Sequence, residues 1–143
     1  DSVHQVLDLC QPKFAEKGIV VEVQLSHAGD QIMADPEKLS QVIRNLLQNA
    51  SQYTPHGGNV RISAERLPGR IKMVFANTGE GIAEEDLPFI FERFYRGEKS
   101  RSREHGGAGI GLAIVKELVE AHKGEVGAEN APTETRVWFT LPA

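Results

Sequence analysis

The chain has 143 residues, of which 40% are apolar and 25% are charged, the composition of one globular domain of ordinary size. Its formal net charge of -4 gives no support for a protein that wraps DNA or RNA, and its single cysteine excludes an internal disulfide framework. No apolar run reaches the length of about 18 residues that a membrane-spanning helix needs. We therefore expect residues 1–143 to form a single soluble domain with no nucleic-acid partner.

The first half of the chain predicts two helices separated by a strand. Apolar residues recur with helical spacing over about 2–17, and Ile19–Leu25 then alternates apolar and polar residues as a strand does. Asp35 is a favourable N-cap, and Pro36 suits the first position of a second helix, whose apolar residues recur at i, i+3 and i+4. The turn residues Pro55–Gly58 end that helix.

The second half predicts the rest of a sheet and a further helix. Four stretches have the composition of strands: Val60–Leu67, Ile71–Ala76, Gly124–Glu129 and Thr135–Leu141. Pro68 and Gly69 join the first two as a hairpin. We expect a short helix around Glu84–Phe94, a long polar loop at Arg96–Gly109, and a helix at Ile110–His122 that is apolar on nearly all sides and therefore buried between two layers. This mixture predicts the α+β class, with helices layered on one face of the sheet.

Two asparagines on the second helix are the first candidates for ligand binding. Asn45 and Asn49 are four residues apart, so they lie on one face of the helix beside its apolar stripe. Amides at such a rim can hydrogen-bond a ligand or give an oxygen to Mg²⁺. On this spacing alone, two ordinary surface amides are the simpler interpretation.

Two glycine-rich stretches are the next candidates. Asn77–Gly81 directly follows a strand, where glycines allow a ligand to approach the backbone and a polar side chain can read the edge of a base. Gly106–Leu112 opens the last helix, where bare backbone N–H groups can bind a phosphate. It is not a dinucleotide fingerprint, because Leu112 stands where that motif needs glycine, and the chain contains no P-loop sequence. A plain turn and glycines for helix packing are the alternatives.

A cluster of aromatic and basic residues lies between these two stretches. Phe89, Phe91 and Phe94, with Tyr95, have the spacing of core anchors. The basic residues that follow, beginning with Arg96, could neutralise phosphates, although the acidic residues among them fit a solvated loop equally well.

In their order and spacing, these motifs closely resemble the catalytic and ATP-binding domain of bacterial sensor histidine kinases. The resemblance rests on Asn-x-x-x-Asn-Ala-x-x-Tyr-Thr, x-Thr-Gly-x-Gly-Ile, Phe-x-Arg-Phe-Tyr-Arg and Gly-Gly-x-Gly-Ile-Gly-Leu-Ala-Ile-Val, which match the N, G1, F and G2 boxes of that family. With the flanking strands it covers essentially the whole chain. It implies a Bergerat ATP-binding fold: a two-layer α/β sandwich with a mixed, mostly antiparallel sheet, helices on one face, and a mobile ATP lid.

The resemblance implies ATP and Mg²⁺ as cofactors and gives the motif residues roles. Asn49 would coordinate a Mg²⁺ ion that bridges the phosphates, with Asn45 beside it and Arg96 near the phosphates. Phe91 and Phe94 would anchor the lid. The implied nucleotide pocket further includes Gln52, Tyr53, Asn77, Gly79, Gly81, Ile82, Tyr95, Gly107, Ala108, Gly109, Ile110, Gly111, Leu112 and Thr135.

Three positions depart from the pattern of the family. The G1 box usually begins with Asp, which accepts a hydrogen bond from the adenine amino group. Asn77 keeps an acceptor but loses the charge, so we expect weaker ATP binding. Gln52 stands where the family often has lysine, which removes a cation near the phosphates. Glu134 replaces the usual glycine of the C-terminal box, which we interpret as a small change in a loop.

The implied function is transfer of the ATP γ-phosphoryl group to a histidine in two-component signal transduction. None of the five histidines lies in a sequence like the phosphoacceptor motif of the family. We therefore expect that histidine on a dimerisation hairpin upstream of Asp1, a response regulator as indirect partner, and a monomeric isolated domain that does not autophosphorylate alone. The expected location is the cytoplasm, with anchoring of the intact protein in the inner membrane left open. An anti-sigma-type serine kinase and a degenerate ATP-sensing or docking module are the alternatives.

Overall fold

A computed structural model describes residues 8, 11–12, 14–24, 35–79, 90–91, 111–131 and 133–142. The elements in these residues are β1 (Val20–Gln24), α1 (Pro36–Tyr53), β2 (Asn59–Leu67), β3 (Arg70–Asn77), α2 (Gly111–Ala121), β4 (Glu125–Ala131) and β5 (Glu134–Pro142). Residues 14–16, before β1, are helical, as predicted for the first helix. The helix predicted around Glu84–Phe94 lies outside the described residues, apart from a turn at 90–91. No helix in the described part is long and apolar enough to cross a membrane.

The strands form one mixed sheet in the order β1-β2-β3-β5-β4. Strand β1 is parallel to β2, and the other neighbouring strands are antiparallel. The predicted hairpin joins β2 to β3, with Leu67 opposite Arg70 at its tip. A second hairpin joins β4 to β5, with Ala131 opposite Glu134. The predicted mixed, mostly antiparallel sheet is confirmed.

Helix α1 begins where the sequence predicts. The side chain of Asp35 accepts a hydrogen bond from the backbone N–H of Glu37 at 2.9 Å, and Pro36 lies in the first turn. The buried side chains of α1 are Val42, Ile43, Leu46, Leu47 and Ala50. Their spacing puts one side of the helix into the core, and burial of such a face supplies most of the stability of a helix in a folded protein.

The core lies between the two helices and one face of the sheet. The sheet residues on this face, each at most 4% exposed, include Val60, Ile62, Met73, Phe75, Val137 and Phe139. Helix α2 adds Val115 and Val119, while its Lys116, Glu117 and Glu120 are exposed. The prediction that this helix is buried between two layers is therefore wrong, because its charged residues share one side at helical spacing and that side faces solvent.

The opposite face of the sheet carries polar side chains. Arg61, Lys72 and Arg136 alternate with the core positions of their strands and are half-buried. Glu134 is the first residue of β5, because its pairing with Ala131 leaves only two residues for the turn of the hairpin. The interpretation of Glu134 as a small loop change is therefore wrong.

Candidate functional site

Two amide side chains lie one turn apart on α1, at the rim of the core. Asn45 and Asn49 are each half-buried, next to the buried Leu46 and Ala50. The Nδ2 atom of Asn45 is buried and has no hydrogen-bond partner within the described part of the chain. A buried N–H donor left unpaired costs about 1–3 kcal/mol, so this atom is suited to a ligand that brings an acceptor, such as a phosphate oxygen.

The end of β3 presents an amide oxygen. Asn77 is half-buried, and its Nδ2 donates a hydrogen bond to the backbone oxygen of Thr78 at 3.3 Å. That bond engages the donor side of the amide and leaves Oδ1 as an acceptor. Gly79 has a φ of +149°, a value that favours glycine, so the chain turns away from the strand just after Asn77.

Thr78 ties the start of this turn to β2. Its backbone N–H donates to the backbone oxygen of Asn59 at 3.0 Å, and its Oγ1 accepts from the backbone N–H of Asn59 at 3.0 Å. A Cβ at Gly58 would lie 2.7 Å from Thr78 Oγ1 and 2.6 Å from Thr54 Cγ2. The residues that follow α1 and β3, Thr54 and Thr78, therefore meet at Gly58. The sequence identifies Gly58 as a turn residue but does not predict this contact.

Three polar residues lie side by side across this end of the sheet. The strand register pairs Asn77 with Thr135, and Thr135 with Asn130. Thr135 is only 4% exposed, and its hydroxyl donates to Asn130 Oδ1 over 3.4 Å. The sequence predicts Asn77 and Thr135 as site residues but misses Asn130. The short hairpin between β4 and β5, which fixes the register of these strands, is the signal that could have placed it.

The motifs and the fold agree with the comparison to known families. A family model described as "Histidine kinase-, DNA gyrase B-, and HSP90-like ATPase" matches residues 34–143. The chain belongs to this ATPase family. Among curated relatives, the "Sensor histidine kinase CusS" of Escherichia coli (strain K12) is 40% identical over 145 residues. That match covers 100% of the chain but 29% of the relative, so the chain spans less than a third of the length of CusS.

Among solved structures, the chain is similar to histidine kinase catalytic domains. The catalytic domain of histidine kinase ThkA, in a nucleotide-free form, matches with a TM-score of 0.85 at 25% identity and covers 99% of the chain and 90% of that domain. Full-length ShkA in complex with AMPPNP matches with a TM-score of 0.83 at 34% identity, over 99% of the chain and 29% of ShkA. The predicted Bergerat-type α+β fold is confirmed.

Part of the predicted nucleotide site lies within the described residues, and its elements come together through the core. Asn45 and Asn49 lie on α1, which packs against α2, and Gly111 begins α2. Leu112 and Phe91 are half-buried and pack against the core. Because the first backbone N–H groups of a helix have no partner within it, the start of α2 is suited to bind an anion.

The remaining predicted site residues lie outside the residues that the structure describes. They are Gly81, Ile82, Phe94, Tyr95, Arg96, Gly107, Ala108, Gly109 and Ile110. Gln52 and Tyr53 lie in the last turn of α1, with side chains outside the described set. Their assignment to the site stays a prediction.

Proposed function

We propose that this chain is the ATP-binding catalytic domain of a sensor histidine kinase, which transfers the γ-phosphoryl group of ATP to a histidine on a separate dimerisation domain. The observation that carries the proposal is the buried Nδ2 of Asn45 beside Asn49, which has no hydrogen-bond partner among the described residues, in a fold shared with the ThkA catalytic domain. The 40% identity to CusS extends along the whole chain, which favours this reaction over others of the ATPase family.

The polar end of the sheet would recognise adenine. The adenine amino group is a hydrogen-bond donor, and Oδ1 of Asn77 is the acceptor left over by the bond from its Nδ2 to Thr78. Thr135 lies beside Asn77 in the strand register and brings a buried hydroxyl. A neutral amide accepts a hydrogen bond less strongly than a carboxylate does, so we expect weaker binding than an aspartate at this position would give.

The phosphates would be held by α1 and by the start of α2. Nδ2 of Asn45 would donate to a phosphate oxygen, the backbone N–H groups at Gly111 would add partial positive charge, and Arg96 would add a cation. Asn49 would give one oxygen ligand to Mg²⁺. The other ligands would be phosphates and water, as is usual for Mg²⁺. When bound, Mg²⁺ neutralises charge on the transferring phosphoryl group.

The proposed role of these residues is to position ATP without activating water. The amide of Asn45 cannot accept a proton at neutral pH, so a general base is missing at that position. We therefore expect slow hydrolysis of ATP, which preserves it for the imidazole of a phosphoacceptor hairpin. A response regulator would receive the phosphoryl group from that histidine.

The second candidate function is an ATP-sensing or docking module without phosphotransfer. It is favoured by Asn77 and Gln52, because both positions lack a charge that the resemblance leads us to expect. An anti-sigma-type serine kinase is less well supported, since CusS, which matches along the whole chain, is a sensor histidine kinase.

Calorimetric titration with AMPPNP, with and without Mg²⁺, tests the proposal. We expect Mg²⁺-dependent binding that weakens by about tenfold or more in Asn45→Ala and in Asn49→Ala, because each loses a polar contact to the ligand. Gln41→Ala, an exposed polar position on the same helix, is the matched control and should bind as wild type does. Absence of binding at millimolar nucleotide would refute an ATP site. Binding without phosphoryl transfer to a supplied phosphoacceptor hairpin would favour the docking module.

A further inference from the structure

Three charged side chains form a clamp on the open face of the sheet, the face opposite to α1 and α2. Oε2 of Glu134 accepts a hydrogen bond from Nη2 of Arg61 at 2.9 Å and a second from Nε of Arg136 at 2.6 Å. We call these three residues the Arg–Glu–Arg clamp. Bonds of this kind, with both partners ionised, are the stronger class of hydrogen bond in proteins.

The clamp crosses a strand that contributes no charge to it. Arg61 of β2 is paired with Ala76 of β3, and Ala76 is paired with Arg136 of β5. Ala76 is small and 2% exposed, so Arg61 can reach over it to the carboxylate of Glu134, which lies on the same strand as Arg136. The clamp therefore ties together β2 and β5, which are not neighbours in the sheet.

The carboxylate of the clamp is held in its ionised form. The side chain of Glu134 is 14% exposed, whereas those of Arg61 and Arg136 are 40% and 41% exposed. The hydrogen bond from Arg136 lowers the pKa of Glu134, and the charge of Arg61 lowers it further, against the opposing effect of burial. At neutral pH the acceptor is therefore charged and engages both guanidinium groups.

The polar end of the nucleotide site lies on the other side of the same backbone. Thr135 separates Glu134 from Arg136 on β5, and Asn77 follows Ala76 on β3. Because successive residues of a strand point to opposite faces, a clamp that fixes Glu134 and Arg136 on one face also fixes Thr135 on the other. Asn77 is the partner of Thr135 across the strand register, so the clamp acts on Asn77 through that pairing.

We infer that Glu134 is a positioning residue for Asn77 and Thr135, and that through them it sets the preference of the site for adenine over guanine. The inference rests on the proposed function, since the preference exists only if the site binds a nucleotide. Adenine presents an amino donor where guanine presents a carbonyl acceptor. The amide of Asn77 could serve either base, and its orientation depends on a single 3.3 Å bond to the oxygen of Thr78. A loosened sheet end would allow the amide to turn and donate to guanine.

The test compares the dissociation constants of AMPPNP and its guanosine counterpart in matched variants. We expect Glu134→Gln to reduce the preference for the adenine nucleotide by about fivefold. The control is Glu129→Gln, which makes the same change of charge on the same face, at a carboxylate whose contact with the clamp is a longer one, to Arg136 at 3.9 Å. Arg61→Ala should reduce the preference as Glu134→Gln does, and the double variant should reduce it no further. A merely structural role would lower the melting temperature and leave the ratio of the two constants unchanged.

The outcomes separate the inference from the proposed function. If wild type binds AMPPNP and Glu134→Gln leaves the ratio unchanged, the inference is wrong and the nucleotide site stands. If wild type binds neither nucleotide, the proposed function fails and the inference fails with it. Arg61→Lys, which keeps the charge but loses the planar fork of donors, should give an intermediate shift even if Glu134→Gln does not fold.

Discussion

Gly124 and Gly127 are three residues apart in the chain, yet their surroundings differ in kind. A Cβ at Gly124 would overlap the backbone oxygen of Thr140 and would lie 2.8 Å from Cγ1 of Val119. A Cβ at Gly127 would overlap the indole ring of Trp138, with Cη2 of that ring 2.9 Å away. Gly124 therefore faces backbone beneath α2, whereas Gly127 faces a side chain on the open face of the sheet.

This difference shows that the two sides of the sheet are stabilised by different means. On the side covered by the helices, the end of α2 and the backbone of β5 are in contact. Neither can move away from the other unless a whole helix or strand shifts. On the open face, Nζ of Lys72 lies 4.6 Å from the centre of the Trp138 ring, and the Arg–Glu–Arg clamp reaches over Ala76. These contacts join side chains that can change rotamer. We therefore expect an added methyl group to lower the free energy of unfolding strongly on the helix-covered side. On the open face, side chains can move aside, so the loss should be smaller.

The largest expected effect is that of Gly124→Ala. The added methyl group meets the carbonyl of Thr140, which belongs to a strand paired on both sides, so we expect a loss of about 3 kcal/mol in the free energy of unfolding. Urea unfolding measures it, as a lower midpoint at constant slope. Val119→Ala removes only the side-chain part of the overlap, so the double variant should be no more stable than Gly124→Ala. Recovery of stability in the double variant would show that the backbone contact is not decisive.

Gly127→Ala should have a smaller effect, of about 1–2 kcal/mol, because the indole ring can move. Replacing glycine by alanine also reduces the conformational entropy of the unfolded chain, which stabilises the protein by about 0.4–1 kcal/mol and offsets part of the cost of the overlap. Trp138 is the only tryptophan in the sequence, so a shift of its fluorescence would report the displaced ring directly. In a Trp138→Val background, the same glycine substitution should cost nothing. If Gly127→Ala lowered the free energy of unfolding as much as Gly124→Ala does, and Trp138 fluorescence did not change, the open face would be no more adaptable than the helix-covered side.

Periodicity predicted the elements of this fold well because burial repeats along each of them. The apolar residues of α1 recur with the helical period, and those of β2, β3 and β5 alternate, so the core face could be identified without contacts. Helix α2 was misjudged, because the apolar run from Leu112 to Val115 concealed the exposed stripe formed by Lys116 and Glu120. The end of α2 also differs from the usual rule. Lys123 takes the left-handed conformation there, with φ of +65°, and glycine, the usual residue in that conformation, follows one position later, where it allows the close approach to β5.

The candidate site was predictable in residue types but not in orientation. Spacing alone favours ordinary surface amides at Asn45 and Asn49, and it was the order of the four motifs, through their resemblance to histidine kinase domains, that named these residues and Asn77. Which atom of Asn77 would face a ligand depends on the oxygen of Thr78, and the clamp depends on a register that runs from Arg61 through β3 to Arg136. Contacts of this kind join residues far apart in sequence, so no local pattern announces them.

The smallest expected effect is the loss of stability when the clamp is broken. Unlike the effects of the two glycine substitutions, this loss should depend on pH. The pKa of Glu134 is lowered in the folded protein, mainly by the hydrogen bond from Arg136, so the unfolded chain takes up the proton first. The stabilisation is therefore fully present above the unfolded value of about 4.3 and is lost as the pH falls through the lower folded value. Since both arginines are about 40% exposed, solvent screens the attraction. At neutral pH, Glu134→Gln should then destabilise the protein by less than Gly127→Ala.

Denaturant unfolding of wild type and Glu134→Gln across the acid range measures this contribution as a difference. We expect the difference to be constant near neutrality and to shrink once the pH falls below about 4.3, whereas Gly127→Ala changes no titratable group and its difference should not follow that curve. Glu134→Gln in an Arg61→Ala background should give a smaller difference at every pH, because one of the two cations is gone. A difference that persisted unchanged down to about pH 3 would assign the loss to the shape of the side chain instead of its charge. The open face would then be stabilised by the packing of its side chains, as the helix-covered side is, and the two sides would not differ in the way proposed above.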